Sequence, residues 1–186
     1  AALRTLRSQD APYHLWLHFI DPHKLYIRHP ELPSLGRGAV DRYDGEIQFT
    51  DLHLGRFLEE LYAGGDWDRT VVALISDHGE AFGEHGEWHH GWSLHEHQLR
   101  VPFLLRVPGL EHSVRNTRVS LVDLVPTLLD LAGLPPDGGD VPVRGVSLLP
   151  ALLAGGEWAA RPIYAEVYPG PHNAAWSAFI EGDLKL

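Results

Sequence analysis

An α/β domain is predicted by three features of the chain. The apolar runs YHLWLHFI (13–20), TVVALIS (70–76) and VPFLLRV (101–107) have the length and branching of buried strands. Between and after them, apolar residues recur at helical spacing. Beyond residue 160, two more strand-like segments lie close enough in sequence to pair with each other. The expected architecture is a mixed, mostly parallel sheet flanked by helices, with a partial antiparallel annex at the C-terminal end.

Taken in order, the first run is bounded by Pro12 and by Asp21-Pro22 and is expected as a buried strand. A loop rich in Pro and Gly follows, through Gly38. From Val40, the residues Tyr43, Ile47, Leu54, Leu58 and Leu61 step by three, four or seven, which is one helix face. Gly64-Gly65 should end that helix. TVVALIS is uninterrupted, as expected of a parallel strand covered on both faces. VPFLLRV is a further strand, closed by Pro108-Gly109. VSLVDLVPTLLDLAGLPP (119–136) is expected as a helix, with Pro126 near its start and Gly133 at its end. PDGGDVPVRG (136–145) reads as loop. PIYAEVY (162–168) and AAWSAFIEGDLKL (174–186) read as strands, the second turning at Glu181-Gly182-Asp183. Residues 1–160 are therefore expected to form the main body and 161–186 the start of the antiparallel strands. The first residue is Ala and the last strand runs to Leu186, so both ends are expected to be cut.

Composition narrows the partners. A formal net charge of −10 disfavours a nucleic-acid binder held by phosphate contacts. An anionic substrate would need a local positive centre. No apolar run approaches the roughly 18 residues of a membrane span, so no membrane contact is expected from this segment. The N-terminal residues lack the pattern of a secretory signal. The absence of Cys removes disulfides, thiolate metal sites and cysteine nucleophiles together.

The densest chemistry lies in SDHGEAFGEHGEWHHGWSLHEHQLRVP (76–102), which holds six of the chain's 13 histidines. Asp77 and His78 directly follow a core run, and in α/β sheets sites gather beyond the carboxyl ends of strands. A carboxylate and a neutral imidazole suit a divalent cation, and Gly79 after them lets the backbone bend so that neighbouring side chains converge. A capped turn with a packed imidazole fits the same residues. His85 and His89 are four apart, but Gly83, Gly86 and Gly91 interrupt any helix that would align them. HExxH is absent. His95 and His97, two apart, are expected on opposite sides of an extended or turn segment. Surface exposure accounts for His89, His95 and His97 without a ligand.

Six motifs in this order resemble the sulfatases, arylsulfatase-like members of the alkaline phosphatase superfamily. They are YHLWLHFIDPH, YDGEIQFTDLHLGRFLEEL, ISDHGEAFGEHG, HGWSLHEHQLRVPFLLRVPG, VSLVDLVPTLLDLAGLP and GVSLLPALLAG. The resemblance implies an alkaline-phosphatase-like fold and hydrolysis of sulfuric esters. It implies that Asp77 and His78 are two ligands of a divalent metal, calcium first, with manganese or zinc as alternatives. By the same resemblance His23 protonates the leaving group, and His90 stands where a Lys often contacts the ester oxygens. An imidazole carries charge only below about pH 6.5 unless a neighbour favours the charged form, so this departure bears on anion binding. His18 ranks below His23, Arg100 is expected to anchor an acidic partner, and Tyr43, Asp44, Glu46 and Asp51 are expected to support packing.

The family's Cys- or Ser-x-Pro-x-Arg nucleophile motif, the source of formylglycine, does not occur in these residues, nor does an Asp-Asp pair. Both are expected upstream, so the chain is expected to be the second part of a catalytic domain and inactive alone. The substrate implied is an anionic sulfate-ester small molecule or glycan, and loop 24–38 is the best local candidate to touch it. A phosphodiester or phosphonate hydrolase, or a phosphoglycerol or phosphoethanolamine transferase, of the same superfamily is the nearest alternative. A non-catalytic binding module on this fold and a histidine-based zinc protein are the others. A periplasmic, secreted or membrane-anchored location fits the full-length chain. Oligomeric state is not legible.

Overall fold

The computed structural model describes Leu3, Arg7, Ser8 and residues 11–135, 142–156, 158–170 and 173–186. The chain divides into two compact units, 1–70 and 71–186.

The first unit is organised by α1, Ala39–Ala63. The Gly38 amide donates to Asp41 Oδ2 (2.9 Å) at its start. The helix ends at Gly64, and Gly65 follows in the left-handed region (φ 77°), the stop expected from the Gly pair. Its buried residues are Leu61 and, against the apolar periodicity, Glu46; Ile47 is left exposed. After the helix, the buried Asp66 receives Arg69 (2.6 and 3.2 Å) and the Arg7 guanidinium. Arg7 also donates to the Glu60 carbonyl (2.9 Å), clasping the end of α1. Residues 13–20 do not form the expected strand. They run without regular structure, and Trp16 is 78% exposed. An apolar run becomes a strand only when a neighbour takes up its ladder hydrogen bonds, and no strand does so here among the described residues.

In the second unit, β1 (Val72–Ile75) pairs with β4 (Phe103–Arg106) in antiparallel register, Val72 opposite Arg106 and Ile75 opposite Phe103. The expectation of a parallel strand covered on both faces is corrected here. Parallel pairing needs a crossover, usually a helix, that carries the chain back to its starting end. Residues 76–102 instead hold a small hairpin and one helical turn, so β4 returns beside β1 running the other way. Ala73 and Ile75 point to an exposed face. The hairpin is β2 (Ala81–Phe82) with β3 (Trp88–His89), and the helical turn is α2 (Glu96–Leu99).

The segment expected as one helix from 119 begins with a 3₁₀ turn, Leu121–Asp123, and continues as α3, Leu124–Leu131. Pro126 sits in the first turn of α3, where its missing N–H has no cost, and Gly133 (φ 65°) follows the end; residues 136–141 of the expected loop lie outside the described residues. Asp123 is fully buried and works as a tie-point. Its Oδ2 accepts the Ser120 amide (2.9 Å) and the Arg161 guanidinium, and its Oδ1 accepts the Val146 amide (2.9 Å). One turn later, Thr127 accepts the Leu148 amide (2.9 Å), docking α4 (Leu149–Ala154). Strands β5 (Ile163–Val167), β6 (Trp176–Glu181) and β7 (Leu184–Lys185) form an antiparallel meander, turning at Gly182 (φ 55°) where the sequence placed the turn.

Candidate functional site

Strand β1 ends at Ile75, and the Ser76 hydroxyl donates to the His78 carbonyl (2.7 Å), turning the chain sharply out of the sheet. Asp77 is thereby projected outward, its side chain 77% exposed. Its Oδ1 accepts the amide of His78 (3.0 Å) and its Oδ2 stands 3.7 Å from His78 Nε2. His78 Nδ1–H donates to the carbonyl of Gly79 (2.8 Å). A carbonyl can only accept, so this bond places the proton on Nδ1 and leaves the Nε2 lone pair beside the carboxylate. One oxygen and one imidazole nitrogen, held a few ångströms apart with the tautomer already set, are a donor set that suits a divalent cation.

The turn tolerates only glycine at its next position. A Cβ on Gly79 would lie 2.0 Å from the carbonyl oxygen of His97, and the Gly79 amide donates to Gln98 O (2.8 Å). Gln98, buried on α2, also accepts the Gly91 amide (2.9 Å) and donates to Glu87 (3.2 Å) and Ser93 (3.3 Å). One side chain therefore braces the segments on both sides of the hairpin.

The hairpin register adds a partner that sequence reasoning missed. Ala81 lies opposite His89 and Phe82 opposite Trp88, so the next rung sets Glu80 against His90. His90 Nδ1 lies 3.2 and 3.3 Å from the two oxygens of Glu80, whose side chain is only 3% exposed. The His90 ring in turn stacks on His78, centroids 4.0 Å apart and planes at 28°. Asp77, His78, Glu80 and His90 thus form one group. Only antiparallel pairing, in which residue numbers sum to a constant along the ladder, points to Glu80.

The remaining histidines of the stretch behave differently. His85, His95 and His97 stack face to face, His85–His95 at 3.9 Å, His85–His97 at 5.8 Å and His95–His97 at 5.7 Å. His95 and His97 therefore share a side, correcting the opposite-sides expectation: residue 95 caps α2 and residue 97 lies in its single turn, so extended alternation does not apply. Stacked rings direct their nitrogens edgewise, not toward a common centre. Beside them Glu84 is held below its usual range, first by the Phe82 amide it accepts (2.6 Å) and also by the nearby His97 and His85.

His23 belongs to the first unit. It is exposed, its amide donates to Asp21 O (2.7 Å), and its Nδ1–H donates to the Lys24 carbonyl (2.8 Å). The loop after it lines an open cleft of about 590 Å³, with Arg28, His29, Arg37 and Arg42 on its walls. Behind His29, the Glu46 carboxylate accepts the Ile27 amide (2.6 Å) and meets His29 Nε2 (2.8 Å).

The sulfatase family model matches residues 1–134. The chain belongs to the sulfatase family. An arylsulfatase K of Danio rerio is 36% identical over 134 residues, covering 70% of this chain. The sulfatase chain spans about a quarter of that relative's length, 25%. Among solved structures, a protein in complex with its substrate D-glucosamine-2-N,6-O-disulfate matches 81% of this chain and 33% of its own at 25% identity, with a TM-score of 0.63. A complex with k-i-k-neocarrahexaose matches 99% of this chain and 43% of its own at 21% identity, TM-score 0.79, and establishes shared fold. The fold class is accordingly alkaline-phosphatase-like α/β, with the antiparallel strands 163–185 as its C-terminal part here.

Proposed function

We infer that these residues supply the metal-side and acid–base half of a sulfate-ester hydrolysing centre, acting on a sulfated sugar. The observation that carries this is the grouping of Asp77, His78, Glu80 and His90 beyond the end of β1. Asp77 and the Nε2 of His78 would hold a divalent metal, calcium in first place, which supplies Lewis-acid polarisation of the ester oxygens when bound. Two donors are fewer than the six or so that calcium takes, so other ligands must come from outside these two residues.

His90 contacts an ester oxygen through Nε2, because Glu80 holds Nδ1–H and sets the ring's direction. Glu80 acts through His90 and is a positioning residue. His23, carried by the first unit, is assigned the general-acid role by the family resemblance alone: with Nδ1–H tied to the Lys24 carbonyl, Nε2 is the nitrogen that would deliver a proton. The substrate class is drawn from the neighbour solved with a glucosamine disulfate, and the arginines lining the cleft of the first unit suit an anionic sugar. No Cys and no Ser-x-Pro-x-Arg occurs in the 186 residues, so turnover requires a nucleophile supplied by another segment, and the isolated chain is inactive.

An NMR titration of the chain tests these roles separately. Calcium should shift the His78 ring signals, and Asp77→Asn should abolish the shift. Sulfate should shift His90 in the wild type and much less in Glu80→Gln, with the calcium response intact. Calcium shifts that survive Asp77→Asn, or sulfate shifts indifferent to Glu80, would remove the assignment. When the residues are joined to a nucleophile-bearing segment, His23→Ala should slow aryl-sulfate hydrolysis by about 10²–10⁴, and faster turnover of a phosphodiester than of a sulfate would reassign the reaction.

A further inference from the structure

Glu46 is a polar residue on the packed side of α1, 1% exposed, while its neighbour Ile47 faces solvent at 44%. A buried carboxylate costs several kcal/mol unless it is paired or bound to a cation. Among the described residues no Lys or Arg forms an ion pair with Glu46 or with Asp21. Asp21, His29 and Glu46 instead converge, one ligand atom from each lying within 4.8 Å of the others. The group holds two carboxylates against one imidazole, so even with His29 protonated it is short of positive charge.

The imidazole is fixed against the carboxylate, its Nε2–H donating to Glu46, and that proton is what an ion would displace. Its ring stacks on Phe49 at 3.8 Å with planes 10° apart, which aims Nε2 at Glu46 Oε2 (2.8 Å). The other Glu46 oxygen is anchored by the Ile27 amide (2.6 Å), so the carboxylate cannot rotate away. His29 also lines the open cleft of the first unit, giving an entry path for an ion. Residues 21 and 29 come from the loop and 46 from the helix, so an ion there would fasten loop to helix.

We propose that Asp21, His29 and Glu46 form a divalent transition-metal site of their own, sharing no ligand with Asp77 and His78. One imidazole and two carboxylates suit zinc or manganese, leaving an outward coordination position for water. Binding exchanges the shared Glu46–His29 proton for the ion, so affinity falls at acidic pH.

Zinc titration of the whole chain, followed calorimetrically and by X-ray absorption, tests the site without reference to activity. The expected result is a saturable one-equivalent step with oxygen ligands and a single imidazole. It should survive a His85/His95/His97→Gln triple variant and the Asp77→Asn variant. Asp21→Asn should weaken it by about tenfold or more, since removal of even an outer-shell partner costs that much, and His29→Phe should abolish it. Asp21 is only half-buried, so Asp21→Asn keeps the test usable if Glu46 or His29 variants misfold. A step lost in the triple-histidine or Asp77 variant, one untouched by Asp21→Asn, or no saturable step would each overturn the proposal and leave Glu46–His29 as an ion pair alone.

Discussion

Replacing Asp123 by alanine removes the acceptor that ties three separate segments together. The carboxylate is fully buried and takes the Ser120 and Val146 amides, both at 2.9 Å, and the Arg161 guanidinium. Two backbone N–H groups would lose their partner, at about 1–3 kcal/mol each where water cannot replace it. Breaking a wholly buried ion pair costs about 3–5 kcal/mol, but the Arg161 side chain is 30% exposed and solvent recovers part of that. The expected loss is therefore about 3–8 kcal/mol, a large share of the 5–15 kcal/mol that holds a typical domain. Asp123→Asn should fall between, because its amide still accepts one N–H but turns a donor toward the other donors. Urea unfolding followed by tryptophan fluorescence is the assay. Trp158 is a local reporter, since its indole N–H donates to the Leu148 carbonyl (3.1 Å) in the same knot. A loss under about 1 kcal/mol for Asp123→Ala, with an unchanged denaturant slope, would refute the tie-point reasoning.

Two further outcomes are expected. Gly79→Ala must push the turn off the His97 carbonyl, a backbone atom that cannot swing aside, and should cost about 1–3 kcal/mol in thermal unfolding while separating the His78 and His90 ring signals; an unshifted melting temperature would contradict the close approach. Asp66 is held below its ordinary value near 3.8, first by Arg69 and then by Arg7. Its stabilising contribution is therefore complete above about pH 3.8 and is lost as pH falls through the lowered folded value, because the unfolded state takes up its proton first. Asp66→Asn should flatten the acid limb of a stability–pH curve below that pH and leave its slope near neutrality unchanged. An acid limb identical to wild type would remove Asp66 from the account.

Much of this was readable from the chain alone, and the failures share one cause. The spacing from Val40 to Leu61 and the Gly64-Gly65 stop define α1 because helix formation is local. Gly182 and Pro126 likewise act through their own backbone. The run 13–20 is as apolar as a core strand, yet strand character depends on a neighbour that no local pattern encodes. The direction of β1 was misjudged for the same reason, since it is decided by the path of residues 76–102. Asp77 and His78 stood out by residue type and by following a core run. Glu80 did not, because its meaning comes from the rung it shares with His90. Asp123 was equally silent, its partners lying up to 38 residues away. Glu46 was expected to support packing, and its burial agrees, but the carboxylate and imidazole converging on it come from a loop 17 to 25 residues earlier.

The short ladder of β2 and β3 makes the chemistry depend on parity. Five residues, Gly83 to Glu87, close the hairpin, and the Gly83 amide bonding to the Glu87 carbonyl (2.8 Å) fixes that count. Adding or deleting a single residue there slides one strand by a step and turns its side chains over, so the acid at 80 would look away from the ring at 90. Changes of even length preserve the alternation. Length variation at this tip is thus quantised, and only increments of even size leave Glu80 facing His90.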